Sequence, residues 1–405
     1  MAKTYAPSSE EELSSVVKSA AKSKTKLAIK GGGTRAIGNP VVAEETVVTT
    51  GINGISIYEP GALTIVAAAG TSLEKINAEL NKESQHLPFE PADYSGLFGI
   101  KGQSTIGGVV AAAVSGPRRI QAGACRDSLI GIRFVDGEGN IVKNGGRVMK
   151  NVTGYDLVKL FAGSYGTLGI LTEVAFKVLP KPEVTGVVRV QGLEDQAAID
   201  LLAKALSSPF DVSGAAHVQS GEHGISETLV RVEGFEQSIK YRTEQLKQLF
   251  KPMIAGAGEI SIDMDEGSTV SHWKDIRDVK PFHDSEKEIW RLSVKPSDGP
   301  KVVSELSSKF EVEALYDWGG GLVWLAISAS STDKAVMIRS IVNQFGGHAT
   351  IIKAEKAQAL SAEAFHPESA RISQLSQGLR NQFDPYGIFN QGLMMQANDQ
   401  LIGVN

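Results

Sequence analysis

Apolar positions along the chain fall into two regimes. In the first, short apolar runs alternate with glycine-rich loops. In residues 9–22, Leu13, Val16, Val17, Ala20 and Ala21 recur at three- and four-residue intervals and predict a helix. Ser9 stands at its cap, and Glu12 completes a capping box. Residues 26–30, 45–50 and 63–69 read as strands, and a second helix starts at Thr71 and Glu74 and runs to about Asn81. Residues 88–119 are loop-rich around the small-residue stretch GGVVAAAVSG. Residues 130–136 and 140–143 form a hairpin about Asp-Gly-Glu-Gly, 154–162 a short helix and 170–179 a strand.

Pro180 and Pro182 mark a boundary, beyond which longer helices alternate with strands. Strands are expected at 187–190, 229–233, 290–294, 323–328 and 349–353, and helices at 193–206, 235–250, 299–308 and 332–345. A last amphipathic helix, 368–382, leads into FDPYGIFNQG. The expected domains are 1–182, 183–350 and a C-terminal segment, 351–405, that returns to the first domain.

Composition sharpens this picture in three ways. Of 405 residues, 43 are glycine, clustered at 31–38, 96–116, 137–146, 154–169 and 319–321, which brings backbone close to a ligand or into tight turns. A net charge of −5 with scattered basic residues argues against nucleic acid as a partner. A single cysteine, Cys125, excludes an intrachain disulfide and an iron–sulfur cluster held by this chain alone. The apolar runs are too short to span a bilayer, so the expected location is cytoplasmic, with any membrane association through partners.

The loop Gly31-Gly32-Gly33-Thr34-Arg35-Ala36 carries a G-x-G-x-x-A spacing after a strand, but Gly38, Asn39 and Pro40 follow at once. A Rossmann site needs a helix there, and proline breaks its first turns. Two readings stay open on spacing alone: a nest of backbone amides around a diphosphate, or a tight surface turn.

The block from Gly102 to Pro182 decides more. GQSTIGGVVAAAVSGPRR, RDSLIGIRFVDGEGNIV and VMKNVTGYDLVKLFAGSYGTLGILTEVAFKVLPKP resemble the second half of the FAD-binding domain of vanillyl-alcohol-oxidase-type flavoproteins. With YDWGGGLVWL, GGHATI and FDPYGIFNQG, the pattern resembles the E-subunit family of bacterial glycolate oxidase. The resemblance implies an α+β fold: a PCMH-type, two-subdomain FAD-binding domain, not a Rossmann fold, with a second α+β cap domain. It implies non-covalent FAD held by Gly31, Gly32, Gly33, Thr34, Arg35, Ala36, Thr105, Gly107, Gly108, Gly116, Gly169, Ile170 and Asn390. Small residues at 105–116 would keep clear of the cofactor, and backbone at 166–170 would meet the adenine. It further implies a complex with a catalytic flavin D subunit and an iron–sulfur F subunit, oxidising glycolate, a small 2-hydroxy acid, to glyoxylate. A self-sufficient 2-hydroxy acid dehydrogenase and a non-catalytic flavin subunit are the alternatives. The chain departs from the catalytic members in lacking a His-x-x-Gly-Asp-Gly-Asn-x-His phrase, and Gln391 follows Asn390 where the family has proline.

Seven histidines, His86, His217, His223, His272, His283, His348 and His366, show no metal-site spacing, so no metal is expected. His348, beside two glycines, is the candidate next to a flavin, set against a hydrogen-bonded structural histidine. Tyr155 is a second candidate, set against a packed tyrosine at a helix start. Arg118 and Arg119 could clamp a carboxylate or meet a partner's acids. Trp318 and Trp324 read as packing residues, and Cys125 as a small buried side chain. The role of 250–285 is open.

Overall fold

A computed structural model of the chain describes residues 3–146, 154–221, 224–254, 256, 258–328, 334–354 and 363–394. The phrase from Val148 to Thr153 and His223 lie outside these residues. The chain divides into two compact units, Met1–Val114 with Gly123–Pro180 and Glu363–Asn405, and Ser115–Ala122 with Lys181–Ala362. The second unit therefore keeps the strand His348–Lys353, which a cut at 350 would split, and also takes a short piece of the glycine-rich half.

Besides the two-stranded pair Gln85–His86 with Leu179–Pro180, the first unit holds two sheets of opposite character. A small parallel sheet is made by Thr4–Tyr5, Glu45–Val48 and Leu27–Lys30, in that order. The helix Glu10–Ser23 buries Leu13, Val17, Ala20 and Ala21 in one cluster with Leu27, Val47 and Ile170. Its Ser9 side chain accepts from the Glu12 amide at 3.2 Å. The expected box closes one residue early, because the Glu12 carboxylate accepts from the Ser8 amide at 2.7 Å. An antiparallel sheet runs Ile55–Glu59, Thr64–Ala68, Ile170–Lys177, Leu129–Val135, Ile141–Gly145. The helix Leu73–Lys82 is capped by Ser72 rather than Thr71, whose hydroxyl instead bridges the Gly54 amide and carbonyl at 2.8 and 3.0 Å. Within the loop-rich stretch, Ile106–Ala111 is a short helix capped by Thr105.

The C-terminal segment is stitched into this unit by side-chain amide and carboxylate groups. Asn390 takes the left-handed conformation, φ 41°. Its Oδ1 accepts from the Ile29 amide and its Nδ2 donates to the Tyr165 carbonyl, each at 2.8 Å, while its own amide donates to Leu27 at 3.0 Å. Asp384 accepts from the Ile388 and Phe389 amides at 3.0 and 2.8 Å.

The second unit is one antiparallel sheet of eight strands in the order Glu259–Asp263, Val184–Gln191, Glu227–Gly234, Val212–Val218, Val312–Asp317, Leu322–Ile327, Glu288–Ser293, His348–Lys353. One face carries the apolar core beneath the helices Asp195–Leu206, Glu236–Ile254, Gly299–Ser307 and Lys334–Gln344. Region 250–285 supplies the edge strand Glu259–Asp263 and the helix Glu266–Arg277, whose Trp273 packs under Arg231 at 4.5 Å. Strands Val212–Val218 and Val312–Asp317 escape the sequence pattern. The first is buried at every position, so it shows no alternation.

Asn390→Ala removes both side-chain bonds and leaves the Ile29 amide and Tyr165 carbonyl unmatched. The expected loss is about 2–4 kcal/mol, read by denaturant unfolding. Glu10 gives a pH-dependent test. Burial pushes its carboxyl up, but hydrogen bonds from Arg133 and Thr172 and the Arg133 charge outweigh this, and the net shift is downward. Its contribution is therefore complete above the ordinary carboxylate range and vanishes as pH falls through the lowered folded value. Glu10→Gln should cost about 2 kcal/mol at neutral pH and nothing in strong acid; an equal cost at both would refute the assignment.

Candidate functional site

Both glycine loops lie in the first unit, and they touch. A Cβ on Gly31 would overlap the Thr105 hydroxyl, and one on Gly32 the Gln103 carbonyl. A Cβ on Gly102 would stand 3.0 Å from the Gly32 carbonyl. The glycines are therefore required by close backbone-to-backbone approach. Gly33 differs: it has φ +68° and open space around its Cβ position.

This apposition sorts the backbone amides. In the helix Ile106–Ala111, Ile106 donates to the Thr71 carbonyl at 2.9 Å, Gly107 to Ala69 at 2.8 Å and Gly108 to the Thr105 hydroxyl at 3.3 Å. The amides of that helix start therefore have acceptors within the protein, so any part that Thr105, Gly107 and Gly108 play beside a cofactor is by close approach and not by amide donation. A Cβ on Gly107 would meet Ala69 at 2.7 Å, so its smallness serves packing. By contrast, the amides of Gly32, Gly33, Thr34, Arg35, Gln103 and Ser104 donate to no acceptor among the described residues. They form two rows on neighbouring backbone segments, the arrangement that cradles phosphate oxygens.

Two side chains complete the rows. Ser104 Oγ and Arg35 Nε are buried without a hydrogen-bond partner among the described residues. The Arg35 guanidinium donates to the Ala92 carbonyl at 2.7 Å, lies 5.8 Å from the Tyr94 ring centre, and reaches within 3.8 Å of the Cβ position of Gly108. Burial holds its pKa below the usual arginine value against the nearby Tyr94 and Asp93. Thr34 is buried with its methyl against Gly102, and Ala36 is exposed. An unmatched hydroxyl, a cation and open amides suit a dinucleotide's diphosphate. The sequence did not single out Ser104; its place before a cap threonine was the available signal.

The remaining expected residues take other places. Gly169 sits in the core, where a Cβ would stand 3.0 Å from Phe134, and Ile170 is buried beside Val135. Asn390 has both side-chain polar atoms committed to backbone. The side chains of Ile170 and Asn390 thus serve the fold, and the Cβ side of Gly169 is filled by core residues. Gly116 belongs to the second unit, where its carbonyl accepts from Trp318 Nε1 at 3.0 Å. Tyr155 is 88% exposed. Cys125 is fully buried, and burial pushes its thiol far up, so it is a protonated packing residue.

In the second unit Arg118 is buried against Glu233, which also faces Arg231 at 3.4 Å, so Arg118 is an internal ion-pair partner. Arg119 lies 4.3 Å from the Trp318 ring centre. His348 is exposed at the start of its strand, and partial desolvation and then Arg291 hold its pKa below the usual imidazole value. His217 is enclosed by Thr228 at 3.0 Å and Asp195 at 3.3 Å. No group of three or more metal-ligating side chains occurs among the described residues. No helix among them is long and apolar enough to cross a membrane.

Residues 2–145 match the FAD binding domain family. The chain is 35% identical over 380 residues to glycolate oxidase subunit GlcE of Escherichia coli (strain K12), covering 93% of this chain and 95% of that protein. It is 35% identical over 181 residues to glycolate oxidase subunit GlcD of Bacillus subtilis (strain 168), covering 44% of this chain and 37% of that one. An alkyldihydroxyacetonephosphate synthase structure superposes with a TM-score of 0.67 at 16% identity, over 96% of this chain and 76% of the other, and shares the fold. FAD is thus the cofactor, and the chain belongs to the GlcE family of glycolate oxidase subunits, FAD-dependent oxidoreductases with a PCMH-type rather than a Rossmann domain.

Proposed function

We propose that this chain is the FAD-binding subunit of a complex that oxidises glycolate to glyoxylate and passes the electrons to an iron–sulfur partner. One observation carries the reading: the paired rows of open amides at Gly32–Arg35 and Gln103–Ser104, with the Arg35 cation and Ser104 hydroxyl beside them. The full-length similarity to a glycolate oxidase subunit supports the substrate. Bound FAD would supply a hydride acceptor for the α-carbon of a 2-hydroxy acid.

The chain's residues do the holding. Gly33, free of steric contact and left-handed, lets the first row curve around a phosphate. Arg35 offsets diphosphate charge from a partly desolvated position, where an ionic hydrogen bond is stronger than in water. His348, whose pKa partial desolvation and Arg291 hold below the usual imidazole value, is the residue we assign as proton acceptor for the substrate hydroxyl. Tyr155 and Gly116 are left as candidates on exposed and second-unit backbone.

Gly32→Ala forces the loops apart, since its methyl would overlap the Gln103 carbonyl. The purified variant should lose flavin, measured by visible absorbance. Arg35→Met and Ser104→Ala should each weaken FAD by about tenfold or more, or ~1.4 kcal/mol, in equilibrium titration of the apo-protein. The native chain should be yellow, inert toward glycolate alone, and reduced once its partners are present. A colourless chain without affinity for FAD would refute the cofactor site; reduction by glycolate without partners would instead make it self-sufficient.

A further inference from the structure

The eight-stranded sheet buries Trp290, Leu292, Val323, Ala349 and Ile351 in its helix-covered core. Side chains alternate along a strand, so Arg291, Ser293, His348 and Thr350 occupy the opposite face. Register brings them together: Arg291 lies across from Trp324 on one side and Thr350 on the other, and Ser293 lies across from Leu322 and His348. These four polar residues stand beside Trp324 and Leu322, which are buried.

Arg291 is the centre of this patch. It is half-buried, and its guanidinium carbon lies 5.4 Å from the Trp318 ring centre. Arg119 approaches the same ring at 4.3 Å. Arg291 makes no hydrogen bond or ion pair among the described residues. Of the acidic groups on the same face, Glu313 pairs with Lys287, Glu233 with Arg118 and Glu227 with Arg189, while Asp317, across from Leu322, accepts through Oδ1 from the Trp318 amide at 2.7 Å. Two guanidinium groups share one indole, and two hydroxyls and an imidazole stand next to one of them. A partly desolvated cation with an open fork favours an anion, and the planar fork matches a carboxylate through two parallel bonds.

We propose that Arg291, with Arg119, Ser293, Thr350 and His348 around it, is a binding site for a small carboxylate of the 2-hydroxy or 2-oxo acid class. The choice of acid rests on the function proposed above; the site itself rests on the geometry of the second unit. Oxalate, a stable dicarboxylate of the right size, is the probe.

The test uses the full chain loaded with FAD. Oxalate is titrated while the His348 imidazole resonances, assigned with H348Q, are followed by NMR. A saturable shift is expected, with Kd below about 1 mM. Arg291→Met should weaken it by tenfold or more, and Arg291→Lys, which keeps the charge but not the fork, by less, with flavin content unchanged in both. If Arg291→Met fails to fold, Arg291→Lys decides alone, and a Kd equal to the native one overturns the site. Absence of a saturable shift, an unchanged Kd in Arg291→Met, or equal affinity for inorganic phosphate also overturns it. In each of those outcomes retained flavin leaves the cofactor reading standing; failure of the native chain to hold FAD strikes that reading and not this one.

Discussion

The first unit depends on one close approach, the backbone of Gly31 and Gly32 laid against that of Gly102 to Thr105. No side chain larger than hydrogen fits at Gly31 or Gly32, because the atoms in the way are a cap hydroxyl and a carbonyl fixed by their own structure. Thr105 is held by capping the helix Ile106–Ala111, and Ser104 by the bond from Leu73 to its carbonyl at 2.8 Å. With both neighbours fixed, the first loop cannot satisfy its amides internally. Its amides stay without acceptors among the described residues, which is a cost to the protein alone and an advantage once an anion arrives.

A loop so exposed needs anchoring behind it, and the C-terminal segment provides that. Asn390 ties the strand Leu27–Lys30, which leads into the first glycine loop, to the Tyr165 turn. Asp384 holds the preceding turn by two backbone amides. Burial outweighs those bonds and raises the Asp384 pKa. The sequence placed this segment near the flavin, and its actual work is one step removed: it fixes the strand that delivers the loop.

The legible parts of the sequence were those where local chemistry and tertiary context agree. The helix at Glu10–Ser23 declared itself through apolar spacing and its cap. The non-Rossmann character followed from Gly38 and Pro40, which would fall inside the first turns of a helix starting straight after the glycines, and residues 31–44 hold none. Gly107 and Gly169 are ambiguous for a shared reason: glycine marks tight space, but the sequence does not say what fills it, and on the Cβ side Ala69 and Phe134 do. The strand Val212–Val218 was hidden because burial on both faces erases alternation. Ser104 was hidden because only three-dimensional structure shows that its hydroxyl lacks a partner.

These distinctions bear on how the anion is recognised. A helix start would attract a diphosphate through unsatisfied amides and the helix dipole. Here the amides of Ile106, Gly107 and Gly108 are already bonded within the protein. In the proposed site positive potential comes from the loop backbone at Gly32–Arg35 and from the Arg35 guanidinium. The Arg35 Nη2 is fixed by the Ala92 carbonyl while its Nε stays unmatched. Its orientation is thus set before a ligand binds, so little conformational entropy remains to be lost when one does. The proposed recognition by two short backbone rows and one oriented cation would let a site without a Rossmann helix favour a dinucleotide. It also explains why the glycines matter first to the protein and only through it to the cofactor.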